Sequence, residues 1–109
     1  MKTRLPYGEK AILDIRKLED YSLSPSHPRG RHKARVFREA LGLHQGDAAW
    51  LRAELLAAAT TGDAVLDGSD AWGTYWRLDV AVRRHRKRAM VRTLCIVRRN
   101  EDVPRLVTC

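Results

Sequence analysis

The apolar residues of this chain change their spacing at Gly62, and that change constrains the fold more than any other feature. Ahead of Gly62 they recur three and four positions apart, which is the period of an amphipathic helix. Beyond it they alternate with polar residues, which is the period of a half-buried strand. Helical spacing followed by strand spacing predicts an α+β fold, with N-terminal helices packed on a C-terminal antiparallel sheet in meander order. A length of 109 residues allows one domain with a single core, over residues 1–109.

Two helices are predicted from the first half of the chain. One covers residues 31–42 and ends at Gly42, and the other covers residues 47–61 with Asp47 as its N-cap. Ahead of them the pattern predicts, in order, a short strand over residues 10–13, one or two helical turns over 14–21 and a loop over 22–30.

Three strands are predicted from the second half. The segment over residues 62–73 is rich in Asp and Gly, which predicts a loop. Beyond it the pattern predicts strands over residues 75–82, 89–98 and 105–108, with a basic turn over 83–88 and a shorter turn over 100–102. Because the connections are short, consecutive strands are expected to pair antiparallel.

The excess positive charge lies in one segment. The formal net charge is +8, from 21 Lys and Arg against 13 Asp and Glu. Residues 83–99 contain eight basic residues and no acid, so the basic and acidic residues of the rest of the chain balance. The positive electrostatic field of such a segment favours binding of polyanions, either nucleic acid or an acidic protein. A solvated hairpin that only maintains solubility has the same pattern. The residues predicted to bind a phosphate backbone in this turn are Arg83, Arg84, Arg86, Lys87 and Arg88.

The first turn of the helix over residues 31–42 is also basic. A helix macrodipole favours anions at its N-terminus and disfavours cations there, by roughly 0.3–1 kcal/mol each. Arg31, His32 and Lys33 occupy this turn, and together with free main-chain N–H groups they predict a phosphate site. The alternative is that these side chains pair with nearby acids, of which the sequence offers Asp14, Glu19 and Asp20.

His27 and His32 are candidates for proton transfer. Cleavage of RNA without a metal needs a base for the 2′-hydroxyl proton, an acid for the leaving 5′-oxygen and positive charge beside the phosphorane. Histidine titrates near neutral pH and can fill either proton role, although each of these two residues can equally be an ordinary loop or surface residue. The His, Cys and acidic residues have no metal-site spacing, so no metal ion and no other cofactor is predicted.

Polar residues inside the predicted strands indicate a second part of the site. A concave sheet face with the helix junction at its rim would bring their side chains together. The alternative is that Asp79 neutralises Arg77 or Arg92 across neighbouring strands. The polar residues concerned are Tyr75, Arg77, Arg92, Arg105 and Thr108.

Targeting signals are not evident. The longest uncharged apolar run, over residues 55–59, is too short to span a bilayer, and the N-terminus leads into Pro6 and Gly8 instead of an apolar segment. Of the two cysteines, Cys95 lies in an apolar run and is expected to be a buried strand thiol. These features predict a cytoplasmic protein without a membrane partner.

Two stretches of the chain resemble an uncharacterised family of small bacterial domains. The first contains the motif His27-Pro28-x-Gly30-x-x-Lys33-Ala34-x-x-Phe37, with Leu18, Tyr21, Leu23 and Pro25 before it and Leu41-Gly42 after it. The second contains Val91-Arg92-Thr93, Ile96-Val97 and Pro104-Arg105-Leu106-Val107-Thr108. Domains of this kind resemble C-terminal toxin modules of bacterial polymorphic toxins and also occur as short stand-alone proteins. Their layout is similar to that of the barnase–EndoU–colicin–RelE superfamily of metal-independent ribonucleases, in which helices precede an antiparallel sheet.

The resemblance implies functional roles for a small set of residues. Two features depart from the family pattern: Cys95 stands where relatives tend to have an aromatic residue, and the turn before that strand is Arg-rich instead of Gly-rich. The residues that match are His27, Gly30, Lys33, Arg92, Arg105 and Thr108.

Two functional hypotheses follow. In the first, the chain is a ribonuclease toxin that is covered by an acidic antitoxin or immunity protein. Its catalytic residues would be His27, His32, Lys33, Arg92 and Thr108, and Arg31, Tyr75, Arg77 and Arg105 would bind the RNA together with the basic turn. In the second, a non-catalytic module binds nucleic acid or protein through the same basic surface. A mono-ADP-ribosyltransferase is disfavoured, because the sequence has no recognisable nicotinamide-pocket motif.

Overall fold

Five antiparallel strands form one sheet in the computed structural model, which describes residues 2–109. The strands follow one another across the sheet in chain order. They are β1 (Lys2–Arg4), β2 (Asp63–Ser69), β3 (Gly73–Arg84), β4 (Lys87–Arg98) and β5 (Arg105–Thr108). Both α-helices, α1 (Gly30–Leu41) and α2 (Ala48–Thr61), lie in the long connection between β1 and β2. The predicted α+β fold, with helices ahead of an antiparallel meander, is therefore confirmed.

The two helices pack on one face of the sheet. α1 buries Ala34, Phe37 and Leu41, and the last two belong to the same core cluster as the residues that α2 buries. Gly42 ends α1 as predicted: it has a φ of 66°, and its N–H donates to the Arg38 carbonyl at 2.9 Å. The sheet residues that face the helices are mainly Leu78, Val80, Val82, Val91 and Cys95.

The opposite face, called the outer sheet face below, is open to solvent. Side chains alternate along a strand, so the residues between the buried ones point outward. Arg77 and Asp79 of β3 and Arg92 of β4 belong to this outer sheet face. Cys95 points the other way, and its burial raises the pKa of the thiol to about 11. The expectation of a buried strand thiol is therefore confirmed.

Three short helical turns position the segments around the helices. The helical turn expected over residues 14–21 is present as a π-helical turn. Before this turn begins, Asp14 accepts a hydrogen bond from the Arg16 N–H at 3.0 Å. Asp47 directly precedes α2, but its carboxylate accepts from the His44 N–H at 2.8 Å and so closes the preceding turn. The turns are the 3₁₀ turns Gly8–Lys10 and Gln45–Asp47 and the π-helical turn Leu18–Ser22.

The prediction of a loop over residues 62–73 is wrong, because β2 occupies most of this segment. β2 pairs with β1 on one side and with β3 on the other, and Ala64 within it is completely buried. A register shift between Leu66 and Gly68 accommodates the φ of 125° at Gly68. Pairing on both edges therefore outweighs the low strand propensity of Asp and Gly.

The prediction of a strand over residues 10–13 is also wrong. Ile12 makes one isolated parallel bridge to Arg105, and its carbonyl accepts from the Leu106 N–H at 2.9 Å. The segment still buries Leu13, so its apolar residues serve the core while the chain passes beside β5. The first strand of the chain is instead β1, at the opposite edge of the sheet, and the apolar pattern does not predict it.

The basic turn expected over residues 83–88 is shorter than predicted. The β3–β4 ladder continues to the pair Arg84 and Lys87, which leaves only His85 and Arg86 in the turn. Two-residue connections match the twist of an antiparallel pair, and the first turn residue often has a positive φ. His85 has a φ of 55°.

Candidate functional site

Lys33 connects α1 to the end of β5. Its Nζ donates to the Thr108 Oγ1 at 2.6 Å and to the main-chain oxygen of Cys109 at 3.0 Å. The same Nζ lies 5.6 Å from the centre of the Tyr21 ring, within the range of a cation–π contact. An ammonium group has three N–H donors, so one remains for a ligand once two are used. The lysine is thus held in place before any ligand binds.

Four of the five residues predicted to be catalytic line one groove between α1 and β4. They are His32, Lys33, Arg92 and Thr108, and the groove has a volume of about 520 Å³. The rest of this α1–β4 groove is apolar, and it includes Val36 and Met90, which are 59% and 66% exposed. The groove therefore has a cationic end and an apolar end.

The fifth residue, His27, acts as an acceptor at the start of α1. Its Nδ1 accepts from the Arg29 N–H at 3.0 Å and from the Gly30 N–H at 2.9 Å. Its main-chain oxygen accepts from the Arg31 N–H at 3.0 Å, and its ring meets the Tyr21 ring edge-on with centres 4.7 Å apart. A nitrogen that accepts two N–H bonds carries no proton, which assigns the proton of the neutral ring to Nε2.

These bonds correct one part of the predicted phosphate site. The expected site relied on free main-chain N–H groups where α1 begins, but His27 already accepts from three of the N–H groups there. A phosphate at α1 would therefore be held mainly by side chains. His27 itself borders a second cleft, of about 660 Å³, which Thr108, Arg16 and Lys17 also line.

The alternative pairing partners of the first turn are used elsewhere or do not reach it. Asp14 pairs with Arg16 at 2.7 Å, and the hydrogen bonds from Arg16 lower the pKa of the carboxyl to about 2. Across residues 2–109, neither Arg31 nor His32 forms an ion pair with a carboxylate. The cations of the first turn therefore remain available to a ligand.

Three arginines of the outer sheet face have a carboxylate partner. The shortest nitrogen–oxygen distances are 2.9 Å for Arg92 and Asp79, 2.8 Å for Arg105 and Glu101 and 3.6 Å for Arg77 and Asp67. The alternative in which Asp79 neutralises Arg92 is therefore the observed arrangement.

Tyr75 is separate from the α1–β4 groove. Its hydroxyl donates to Asp70 at 3.0 Å, and this hydrogen bond raises the pKa of the phenol. It lies four positions along β3 from Asp79, about 13 Å at the rise of a strand. The predicted face therefore does not gather Tyr75, Arg92 and Thr108 around one point.

The basic hairpin, which comprises residues 83–88 at the ends of β3 and β4 and the turn between them, has fewer available cations than its sequence indicates. Arg84 pairs with Asp47 at 3.1 Å, and its guanidinium lies 5.0 Å from the centre of the Trp50 ring. Lys87 donates to the Glu39 carbonyl at 2.9 Å. In the part of the chain that the structure describes, the remaining predicted phosphate ligands of this hairpin have no carboxylate partner; they are Arg83, Arg86 and Arg88.

A further basic cleft was not predicted from the sequence. Arg31, Arg35 and Arg38 line it on the side of α1 away from the α1–β4 groove, and His44 faces them from the connection to α2. This arginine cleft has a volume of about 330 Å³. The spacing of four and then three positions between the arginines, which places them on one helix face, is the signal that could have revealed it.

A model of one protein family matches residues 4–109, and its description is "Domain of unknown function (DUF6883)". No curated protein and no solved structure matches the chain. Among the described residues, no three His, Cys, Asp or Glu side chains are grouped so that they could hold a metal ion. None of the helices over the same residues has the length and hydrophobicity that a transmembrane span requires.

Proposed function

We propose that this chain, which belongs to the DUF6883 family, binds RNA in the α1–β4 groove and cleaves it without a metal ion, as a ribonuclease of the toxin type. The observation that carries the proposal is the convergence of His32, Lys33, Arg92 and Thr108 on one groove. These residues come from α1, from β4 and from the end of β5, so their meeting depends on the whole fold.

The cationic end of the groove suits a phosphodiester. Lys33 is fixed by Thr108 and Cys109, so its charge requires no reorganisation when negative charge grows on the phosphate. His32 is exposed at the same end and is the proton-transfer residue in this proposal, because His27 lines the second cleft and not this groove. The 2′-oxygen attacks phosphorus while His32 takes its proton; the bond to the 5′-oxygen breaks, and the protonated ring returns a proton to that oxygen.

The apolar end of the groove suits a nucleobase. Val36 and Met90 are large apolar side chains with more than half of their surface exposed, and Phe37, which lines the same groove, belongs to the core. A base packed on these side chains would place the adjoining phosphate near Lys33. A nucleotide, with its apolar face and its charged phosphate, therefore matches both ends of the groove.

A second candidate function is a binding module without catalysis, and two contacts favour it. The Nδ1 of His27 is bonded to main-chain N–H groups, and the guanidinium of Arg92 is paired with Asp79. Arg92 must change partners before it can act on a substrate, and the Nδ1 of His27 cannot take a proton while it holds these bonds. In either function, an acidic antitoxin or immunity protein is the proposed partner, since it would neutralise the cations of α1 and of the basic hairpin.

The test is incubation of the purified protein with total RNA in the presence of EDTA. Fragments that end in 2′,3′-cyclic phosphate are expected from the wild type and from His85→Ala, which alters a histidine in the hairpin turn away from the groove. His32→Ala is expected to lose cleavage. Intact RNA with a salt-sensitive gel shift would favour the binding module, and intact RNA without a shift would exclude both a ribonuclease and an RNA-binding module.

A further inference from the structure

Three arginines form one row along α1. Arg31, Arg35 and Arg38 are all exposed, and from the first to the last of them the helix rises by about 10 Å. Within residues 2–109 none of the three is paired with a carboxylate, and no acidic side chain lines the arginine cleft. Like charges at this spacing repel one another, and Arg31 also opposes the helix dipole. A bound polyanion would relieve both effects.

The row lies in a concavity and not on a convex ridge. The opposite wall of the arginine cleft is formed by Leu23, Pro25 and Leu43 together with His44. Apolar walls of low dielectric beside charges of one sign concentrate the electrostatic field in the cleft. An anion that enters it therefore experiences a stronger attraction than it would at an equally charged flat surface.

The arginine cleft and the α1–β4 groove adjoin each other at His32. This residue lines both, so the two surfaces lie on either side of the exposed ridge of α1. A chain that leaves the cationic end of the groove can cross α1 at His32 and enter the cleft directly. A ligand of both surfaces must therefore be a polymer with repeated negative charge.

We infer that the arginine cleft is a second phosphate-backbone site, which holds the RNA strand that flanks the nucleotide in the α1–β4 groove. This inference rests on the proposed function. Guanidinium groups form bidentate hydrogen bonds with phosphate oxygens, and a row of about 10 Å matches the rise of about three nucleotides of one strand. Contacts of this kind position the backbone and carry no sequence preference.

The test compares two double variants of equal charge. Arg35→Ala/Arg38→Ala removes two cations from the cleft, and Arg4→Ala/Lys10→Ala removes two exposed cations outside both surfaces. The probes are a labelled RNA dinucleotide and a single-stranded RNA long enough to span both surfaces, titrated over a range of salt concentrations. Thermal unfolding confirms that each variant is folded.

For the long RNA, the slope of log K against log salt is expected to become shallower by about 1.4 in the cleft variant, because each phosphate contact with a single strand contributes about 0.7. The dinucleotide should bind all folded variants equally. An unchanged slope with the long RNA would overturn the inference. So would a cleft variant that keeps its RNA slope but loses affinity for poly-glutamate, since that result would assign the cleft to an acidic protein.

The same titration separates the inference from the proposed function. If the wild type leaves RNA intact but the cleft variant still has the shallower slope, the cleft remains a phosphate site and the ribonuclease proposal fails. If the wild type cleaves RNA and both double variants have the wild-type slope, the ribonuclease proposal stands and the second site is rejected.

Discussion

Helix α1 and the outer sheet face are both rich in arginine, but among the described residues only the sheet pairs several of its arginines with acids. On the outer sheet face, Arg92 and Asp79 lie directly opposite each other on β4 and β3, and Arg77 and Arg105 also have carboxylate partners. On α1, within the described part of the chain, Arg35 and Arg38 have none. Available cations therefore lie on a helix outside the most basic segment of the sequence, in addition to the three arginines of the hairpin that, over residues 2–109, have no carboxylate partner.

Helix and sheet differ in ion pairing because the residues that adjoin an arginine come from different parts of the chain in the two elements. In a helix, the side chains beside a residue are those three and four positions away, so a basic stretch of sequence stays basic in space. In an antiparallel sheet, the neighbour across the ladder comes from another part of the chain. Residues 83–99 contain no acid, yet Arg84, Arg92 and Arg98 all meet carboxylates that lie outside this segment. Charge counted along the sequence thus describes a helix better than it describes a strand.

The largest effect that tests this comparison is on catalysis. If α1 provides the positive charge that stabilises the transition state, Lys33→Ala should lower kcat by roughly 10²–10³ with little change in KM. The reason is that the ammonium group acts on negative charge that develops only in the transition state. Arg92→Ala should lower kcat much less, since its guanidinium is engaged by Asp79. Steady-state kinetics with a defined RNA measure both variants.

Lys10→Ala is the matched control for Lys33, because it removes an exposed lysine outside the α1–β4 groove. A rise in KM at constant kcat in Lys33→Ala would show that the lysine only binds phosphate. Equal losses in Lys33→Ala and Arg92→Ala would show that pairing with Asp79 does not reduce the contribution of the arginine, and the contrast between helix and sheet would not extend to catalysis.

A smaller effect concerns the position of α1 itself. A Cβ on Gly30 would overlap the Tyr21 carbonyl, so the helix can start here only with glycine. Gly30→Ala should lower the free energy of unfolding by about 1–3 kcal/mol, the usual cost of forcing extra volume into a packed contact. Urea denaturation measures this change. Gly46→Ala is the control, since a Cβ there meets open space; equal stability of the two variants would contradict the close approach.

The sequence predicted the elements whose apolar period is strong. The helices over residues 31–42 and 47–61 match α1 and α2 within one residue at each end, because their buried side chains repeat over several turns. β1 has only three residues, and β2 contains Asp and Gly, so neither has a period to detect. Both segments are strands because other strands of the sheet pair with them. These partners lie in distant parts of the chain, so the local sequence does not reveal them.

The candidate site was predictable only in part for the same reason. A sequence shows which residues are present but not the distances between them. The basic first turn points to Lys33, the polar residues within the strands point to Thr108, and the resemblance marks both, but their contact at 2.6 Å joins positions 75 residues apart. The pairing of Arg92 with Asp79 was considered as an alternative, since cross-strand pairs follow from register once the hairpin is known. The arginine row on α1 required no tertiary information, and its spacing was visible in the sequence.

The smallest expected effect comes from releasing one paired arginine on the outer sheet face. Asp79→Asn removes the charge that engages Arg92, which borders the α1–β4 groove. The pair is well exposed, so solvent screens it and Tm should not change measurably. A freed guanidinium should instead add one phosphate contact, which steepens the salt slope of RNA binding by about 0.7 and raises affinity at low salt only.

Asp67→Asn is the matched control for this release, since it frees Arg77 on the same face but outside the groove. The comparison assumes that pairing with a carboxylate keeps the arginines of the outer sheet face from binding RNA. Only the arginine that borders the groove should then gain a phosphate contact. The salt slope should therefore steepen in Asp79→Asn and stay constant in Asp67→Asn. Steeper slopes in both variants would mean that RNA spreads over the outer sheet face whenever its arginines are released. An unchanged slope in both variants would mean that RNA is bound by the cations of α1 alone and that Arg92 only stabilises the sheet.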